Sequence, residues 1–217
     1  MFLALLRLQW RESRLAFAIL GAASLALPLL SLRGATGAAG PWEAWELLRA
    51  SAAWSAWYPL LALAAALALA AGAWIGDHRS RHVYALTLPV ARWRYLLVRY
   101  AAGGVLLLGV GLVLWGGGTV ATLQVAMPPL LHAYPGGLAV RFCLAAFSAY
   151  TILFALNGLT PRIARLLVVG LLLLVLLAAL ADLLALGLRP LDLTVDALLG
   201  PYSPLAVFHG PWMLIDV

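Results

Sequence analysis

Five long apolar runs divide this chain of 217 residues, and only short charged segments separate them. The runs cover about residues 15–32, 57–76, 100–126, 138–159 and 163–188. A helix needs roughly 20 apolar residues to cross about 30 Å of hydrocarbon, and a lipid-facing segment must satisfy its backbone hydrogen bonds internally. The runs therefore predict an all-α, polytopic transmembrane helical bundle of about five spans, forming one domain over residues 1–217.

The composition argues against a water-soluble fold and against an ATP site in this chain. Hydrophobic residues make up 65% of the sequence and charged residues 10%, whereas an average soluble domain has about 45–50% and about 25%. All 14 basic residues are arginine, and a Walker A motif needs a lysine to reach the phosphates. The single cysteine, Cys143, excludes an intrachain disulfide, and we interpret it as a small buried hydrophobe.

The arginines also predict the topology, because cytoplasmic segments of membrane proteins retain positive charge. They dominate the N-terminal segment, residues 77–99 and the short turn near residue 162, whereas residues 127–137 carry no charge. This alternation predicts a cytoplasmic N-terminus in a multi-pass protein of the cell (inner) membrane. We interpret the first run as a retained helix rather than a cleaved signal peptide. The proline-broken tail, residues 189–217, is expected outside, as an interfacial or re-entrant element.

Residues 77–99 form the most informative segment, DHRSRHVYALTLPVARWRYLLVR. Val83, Leu86 and Leu88 give it an apolar side amid charges, and Pro89 interrupts it. Such a pattern predicts a short amphipathic helix along the inner membrane face. Two interpretations stay open at this point: an anchor to acidic lipids, or a docking surface for a cytoplasmic protein.

This segment, lying between two spans, resembles the membrane subunits of type-2 ATP-binding-cassette (ABC) transporters. The resemblance implies a cytoplasmic surface helix at residues 1–14 and a coupling helix within residues 77–99 that docks a separate ABC ATPase. The chain departs from the family pattern at Ser80, where a Gly-Thr pair is usual, and the family's sixth span is expected to be either missing or truncated. The docking residues implied are Asp77, Arg79, Arg81, Tyr84, Leu86 and Pro89.

On that resemblance, the chain is expected to be the permease subunit of an ATP-driven exporter rather than an enzyme. The partner ATPase would hold ATP and Mg²⁺, with no cofactor in this chain. A second permease copy or a paralogue would complete the pathway, the lipid bilayer is the other partner, and no nucleic acid is expected.

Two charged residues are predicted inside the membrane. Asp182 lies within the last apolar run, and Arg141 lies near the outer end of the fourth. Because burying a charge in a bilayer is costly, intramembrane ionisable residues usually pair or face a polar cavity. We predict that Asp182 and Arg141 pair, or that Asp182 faces such a cavity.

Histidines suggest weaker candidates. His78 and His82 are spaced four apart beside Asp77, as metal ligands on one helix face could be, but the surrounding arginines repel cations and no metal site is predicted. His132 and His209 are expected outside. Two alternative functions remain: a non-transporting membrane anchor or assembly factor, and a membrane enzyme or cofactor-handling protein that uses His132 or His209.

Small residues predict how the spans pack. Ala62, Ala66 and Ala70 recur at four-residue spacing in the second run, which permits close approach of a neighbouring helix. Residues 116–118 are three consecutive glycines in the third run. We expect them to tilt that span or to loosen it near its far end.

Overall fold

The computed structural model describes residues 2–33, 41–79, 91–125, 127–128, 131–159, 200, 203 and 205–216, with isolated positions between 166 and 180. Five helices are described: α1 (Phe2–Leu32), α2 (Pro41–Ala53), α3 (Trp57–Arg79), α4 (Arg92–Leu123) and α5 (Pro135–Gly158). The remaining elements are two short strands and one 3₁₀ turn: β1 (His132–Ala133), β2 (Ile215–Asp216) and the turn Ala206–Phe208.

Four helical segments are long and apolar enough to cross a membrane: Phe2–Leu32, Ala44–Ile75, Trp93–Leu123 and Pro135–Gly158. The second of these runs from α2 through a turn at residues 54–56 into α3. The prediction of an all-α membrane bundle is thereby confirmed, with four such segments in the described parts of the chain. The fifth predicted span, residues 163–188, lies almost entirely outside them.

The N-terminal segment differs from the prediction of a surface helix at residues 1–14 followed by a separate span. Residues 2–32 form one continuous helix of 31 residues, α1. At a rise of 1.5 Å per residue this helix is about 46 Å long, which exceeds the roughly 30 Å of a hydrocarbon core. Gln9 and Ser13 are buried against the bundle, so the first turns pack onto other helices and need no break before the span.

The segment 77–99 also differs from the prediction of a cytoplasmic loop, because both of its ends are helical. Its first residues, 77–79, end α3, and its last residues, 92–99, begin α4. The reason lies in Tyr95 and Arg99, which are four residues apart and both buried. Because residues at this spacing share a helix face, the first two turns of α4 pack against the bundle instead of lying on the membrane surface.

Small residues allow the helices to approach closely. Ala62, Ala66 and Ala70 are fully buried in the core, which confirms the packing prediction for the second span. The glycines at 116–118 do not loosen α4, which continues through them to Leu123. A Cβ atom on Gly117 would lie 2.9 Å from the carbonyl oxygen of Leu25, so this glycine lets the backbones of α1 and α4 meet. The expectation of a loosened span was wrong because backbone contact compensates for the missing side chains.

The two ends of the bundle differ in character. We call the end with residues 2, 79, 92 and 158 the inner end, because the arginine pattern predicts it to be cytoplasmic. At the opposite, outer end, β1 pairs antiparallel with β2, and His132 lies opposite Asp216. The backbone N–H of Tyr134 also donates to the carbonyl of Leu214 at 2.9 Å. The described part of the tail therefore covers the outer end, and two of its own side chains, Trp212 and Ile215, are buried.

Candidate functional site

Most of the predicted docking residues fall outside the described part of the chain. Asp77 and Arg79 belong to the last turn of α3. Arg81, Tyr84, Leu86 and Pro89 lie in residues 80–90, and Asp182 lies in residues 181–199, neither of which the structure describes. The geometry that bears on function is therefore found at the base of this segment and at the outer end of α5.

Arg99 is the centre of a buried contact at the base of the segment. Only 5% of this residue is exposed, and its guanidinium lies 5.8 Å from the ring centroid of Trp74 and 5.4 Å from that of Tyr95. One of its N–H groups donates to the Tyr95 hydroxyl. A cation over an aromatic face is worth about 2 kcal/mol when the pair is shielded from water, so Arg99 joins the beginning of α4 to the end of α3.

Trp74 extends this contact to α5. Its indole N–H donates to the carbonyl oxygen of Phe154 at 3.1 Å, and the two rings lie 5.2 Å apart. Trp74, Tyr95, Arg99 and Phe154 thus hold the inner ends of three helices together. We call these four residues the inner lock.

The N-terminal part of α1 places polar side chains next to the inner lock. Gln9 is 4% exposed, and its amide N–H donates to the carbonyl of Leu69 in α3 at 3.5 Å. Gln9 and Glu12 line a crevice together with Arg99. Gln9 Oε1, Glu12 Oε2 and Ser13 Oγ are buried and accept no hydrogen bond from any residue that the structure describes. A buried acceptor without a donor costs about 1–3 kcal/mol. These polar atoms therefore lower the stability of the folded bundle.

Tyrosines connect α4 to α5 just above the inner lock. The rings of Tyr100 and Tyr150 are stacked with centroids 5.2 Å apart, and the Tyr150 hydroxyl donates to the carbonyl of Tyr100 at 3.3 Å. The Tyr100 hydroxyl lies 2.7 Å from Thr151 Oγ1. A Cβ atom at Gly103 would overlap the Tyr150 hydroxyl, so the glycine makes room for this contact.

The sequence contained signals for this inner region that were not used. Gln9 and Ser13 are uncharged polar residues spaced four apart, so they share one face of the N-terminal helix. Arg99 was counted only as a topology signal, although Tyr95 precedes it by one helical turn. Its contact with Trp74, which lies on another helix, had no sequence signal.

Arg141 at the outer end binds the backbone of the tail. Its Nε–H donates to the carbonyl of Val207 at 3.1 Å and its Nη1–H to that of Pro211 at 2.6 Å. Nη2 donates to the carbonyl of His209 and, at 3.4 Å, to that of Gly210. The guanidinium also lies 4.7 Å from the ring centroid of Trp212. Arg141 therefore fixes residues 207–212 onto the second turn of α5.

Within the described part of the chain, the groups that contact the Arg141 guanidinium are these main-chain carbonyls and the Trp212 ring. Within the described residues no carboxylate lies at ion-pair distance from this guanidinium. Asp182 is outside those residues, so its pairing with Arg141 stays a prediction. Four carbonyl dipoles and an aromatic face already compensate much of the charge.

A cavity of about 220 Å³ lies between the tail and the start of α5. We call it the outer cavity. Polar and apolar groups share its wall, including one cation and one carboxylate. The lining residues are Tyr134, Gly137, Leu138, Arg141, Pro211, Trp212, Met213 and Asp216.

A second concave feature is an apolar groove of about 510 Å³ between α4 and α5. Gly111 and Cys143 meet at its floor, where a Cβ atom on the glycine would overlap the sulfur. Leu112, Val140 and Leu144 form walls that are exposed on the surface of the bundle. In a bilayer this groove opens towards lipid.

The histidines at the outer end do not assemble into a metal centre. His132 in β1 and His209 after the 3₁₀ turn are both exposed. Across the described ranges, no group of three or more His, Cys, Asp or Glu side chains could hold a metal ion. His78 belongs to the last turn of α3, and His82 lies in the segment that is not described.

Comparison with known proteins leaves these sites to be interpreted from their chemistry. No protein-family model matches the chain, and no curated protein or solved structure matches it either.

Proposed function

We propose that this chain is the membrane-spanning permease subunit of an ATP-driven ABC exporter, and that it docks a separate cytoplasmic ATPase through residues 77–91. The observation that carries the proposal is the inner lock. It lies at the base of the arginine-rich segment. That segment connects α3 to α4, and the inner lock joins these two helices directly.

The inner lock gives a docked partner a mechanical route into the bundle. Residues 80–91 are bounded by the end of α3 at Arg79 and the start of α4 at Arg92. A force on this segment acts on both helices together, because the Arg99 guanidinium lies over the Trp74 ring. The hydrogen bond from Trp74 to Phe154 passes the displacement to α5. Closure of the ATPase would thereby move three helices as one body.

The chemistry of the segment suits a protein partner better than a lipid surface alone. It combines arginine with Tyr84 and Trp93, and arginine and aromatic residues are enriched at protein interfaces. Without a lysine the chain has no Walker A motif, so ATP and Mg²⁺ would belong to the partner. A second permease copy or a paralogue would supply the other half of the pathway.

The test is purification of the tagged chain from its native membranes, followed by an ATPase assay on what co-purifies. We expect a nucleotide-hydrolysing subunit with the wild type and its loss in the double variant Arg79→Glu and Arg81→Glu. Arg49→Glu is the matched control, since Arg49 is an exposed arginine of α2 at the outer end.

A second variant separates docking from coupling. Arg99→Gln removes the cation of the inner lock but leaves the docking segment intact. We expect the ATPase to co-purify with this variant, while the chain's effect on the ATPase rate is lost. No ATPase with the wild type would refute the proposal. Capture of a cytoplasmic protein without ATPase activity would favour the anchor or assembly factor instead.

A further inference from the structure

The N-terminal part of α1 presents a row of exposed arginines on one face. Arg7, Arg11 and Arg14 follow the spacing i, i+4 and i+7, which places them on the same side of the helix. We call this side the basic face. We propose that the basic face binds the headgroups of anionic phospholipids in the leaflet at the inner end. This inference does not depend on the proposed transport function.

The apolar residues that continue the basic face place it at the edge of the hydrocarbon core. Arg11, Leu15 and Ile19 follow one another at four-residue spacing, and the last two are 72% and 61% exposed. Residues 15–32 contain no charged residue. At a rise of 1.5 Å per residue they extend over about 27 Å, close to the roughly 30 Å of a hydrocarbon core. The exposed face of α1 therefore changes from apolar to basic between Arg14 and Leu15, where the core ends.

Arg11 and Arg14 lie within reach of the lipid phosphates. The headgroup layer adds about 5–7 Å on each side of the core, and Arg11 is three residues, or about 4.5 Å, further inward than Arg14. The Cα–Cβ bonds of a helix tilt towards its N-terminus, so both side chains can extend from the core towards the headgroups. Arg7 is seven residues, or about 10.5 Å, inward of Arg14. Its charge therefore acts on the phosphates only at longer range.

Trp10 supports this placement. It lies between Arg7 and Arg11 in the sequence and is 44% exposed. Tryptophan is enriched at the level of the headgroups, where its ring is amphipathic. A docked soluble protein would not require the basic face to continue into an exposed apolar face of α1. A lipid does, because its acyl chains follow directly from its phosphate.

The charge of the basic face favours an anionic headgroup over a zwitterionic one. Among the residues that the structure describes, none forms an ion pair or a hydrogen bond with the side chains of Arg7, Arg11 or Arg14. Glu12 is the only acidic residue of α1, and its Oε2 atom is buried in the crevice that it lines with Gln9. Arginine and phosphate form short, strong hydrogen bonds. The ammonium of a zwitterionic headgroup would be repelled by the neighbouring guanidinium groups.

The test measures which lipid the full-length protein retains. The chain is exchanged into detergent with equal amounts of phosphatidylglycerol and phosphatidylcholine, and the retained lipid is quantified by native mass spectrometry. We expect the wild type to prefer phosphatidylglycerol. Arg14→Gln should lower the ratio of phosphatidylglycerol to phosphatidylcholine about fivefold, the contribution of one arginine near an anionic surface. Arg7→Gln should lower it less, because its distance from the phosphates exceeds the screening length of about 8 Å in physiological salt.

Arg49→Gln is the matched control. It removes one exposed arginine from α2 at the outer end, where Glu46 lies one turn away on the same helix, and it should leave the ratio unchanged. The double variant Arg11→Lys and Arg14→Lys keeps the positive charges that direct insertion and should keep the preference for phosphatidylglycerol. Equal losses in Arg14→Gln and Arg49→Gln would overturn the proposal.

A measurement on the wild type needs no variant to fold. Salt at 1 M shortens the screening length to about 3 Å, so washing the complex in 1 M salt should remove most of the preference for phosphatidylglycerol. An unchanged preference would overturn the proposal. Displacement of the lipid by an equal concentration of soluble glycerophosphoglycerol would overturn its lipid source.

Discussion

Gly117 should tolerate replacement by alanine poorly, because its closest neighbours are backbone atoms of another helix. A Cβ atom there would lie 2.9 Å from the carbonyl oxygen of Leu25 and 3.0 Å from its Cα. Favourable contact needs about 3.5 Å, so α1 and α4 would have to separate by about half an ångström over this crossing. Both neighbours are backbone atoms of a helix, which cannot rotate away as a flexible side chain can.

The neighbouring glycine provides an internal control for the size of this effect. A Cβ atom on Gly116 meets nothing within 4 Å. Gly116→Ala and Gly117→Ala share the gain of about 1 kcal/mol in helix propensity, so the difference between them isolates the helix contact. Overpacking typically costs about 1–3 kcal/mol.

The assay is thermal unfolding of each variant in the same detergent. Unfolding is measured as the loss of monodisperse protein on size-exclusion chromatography. For a chain of this length, the expected cost places the Tm of Gly117→Ala roughly 2–12 °C below that of Gly116→Ala. Equal unfolding temperatures for the two variants would show that α1 and α4 do not meet at Gly117. That result would refute the described contact between these helices.

Two further predictions concern polar contacts. Arg141→Lys should release the tail, because an ammonium has no planar fork to bond several carbonyls of residues 207–211. Limited proteolysis should then cut residues 203–216 faster than in the wild type. An unchanged rate would contradict the role of Arg141. Tyr100→Phe should lower the free energy of unfolding by about 0.5–1.5 kcal/mol through loss of its 2.7 Å hydrogen bond to Thr151. Thr151→Val should add little to that loss, whereas fully additive effects would argue against the bond.

The sequence was sufficient to predict the membrane-spanning helices and part of their packing. Hydropathy alone locates such segments, because lipid tolerates few backbone arrangements. The alanines at 62, 66 and 70 also predicted a close helix contact, since small residues at four-residue spacing leave a flat face. The boundaries were less accurate: α4 begins at Arg92, eight residues before the predicted start at 100. Arg99, which was counted towards a loop, is buried against Tyr95 on its own helix and Trp74 on another.

The outer end was the hardest region to predict. Arg141 binds main-chain carbonyls of residues 207–211. Because every residue type carries a carbonyl, the side chains of the tail give no sequence signal for this contact. The pairing of β1 with β2 joins only residues 132–133 with residues 215–216. Two-residue strands that are far apart in sequence have no periodicity to detect. Gly158 and residues 205–216 lie at opposite ends of the bundle, an arrangement compatible with the predicted span at 163–188, which stays a prediction.

The setting of Cys143 makes the groove between α4 and α5 chemically addressable in the unaltered chain. This residue is the only cysteine of the protein, it is partly exposed, and it lies on the groove floor beside Gly111. Charged thiol reagents would have to leave water to reach it, whereas lipid-soluble ones approach through the bilayer. A single spin label or polarity-sensitive fluorophore attached there would report the separation of the two helices at a defined depth in the membrane, without prior removal of other thiols.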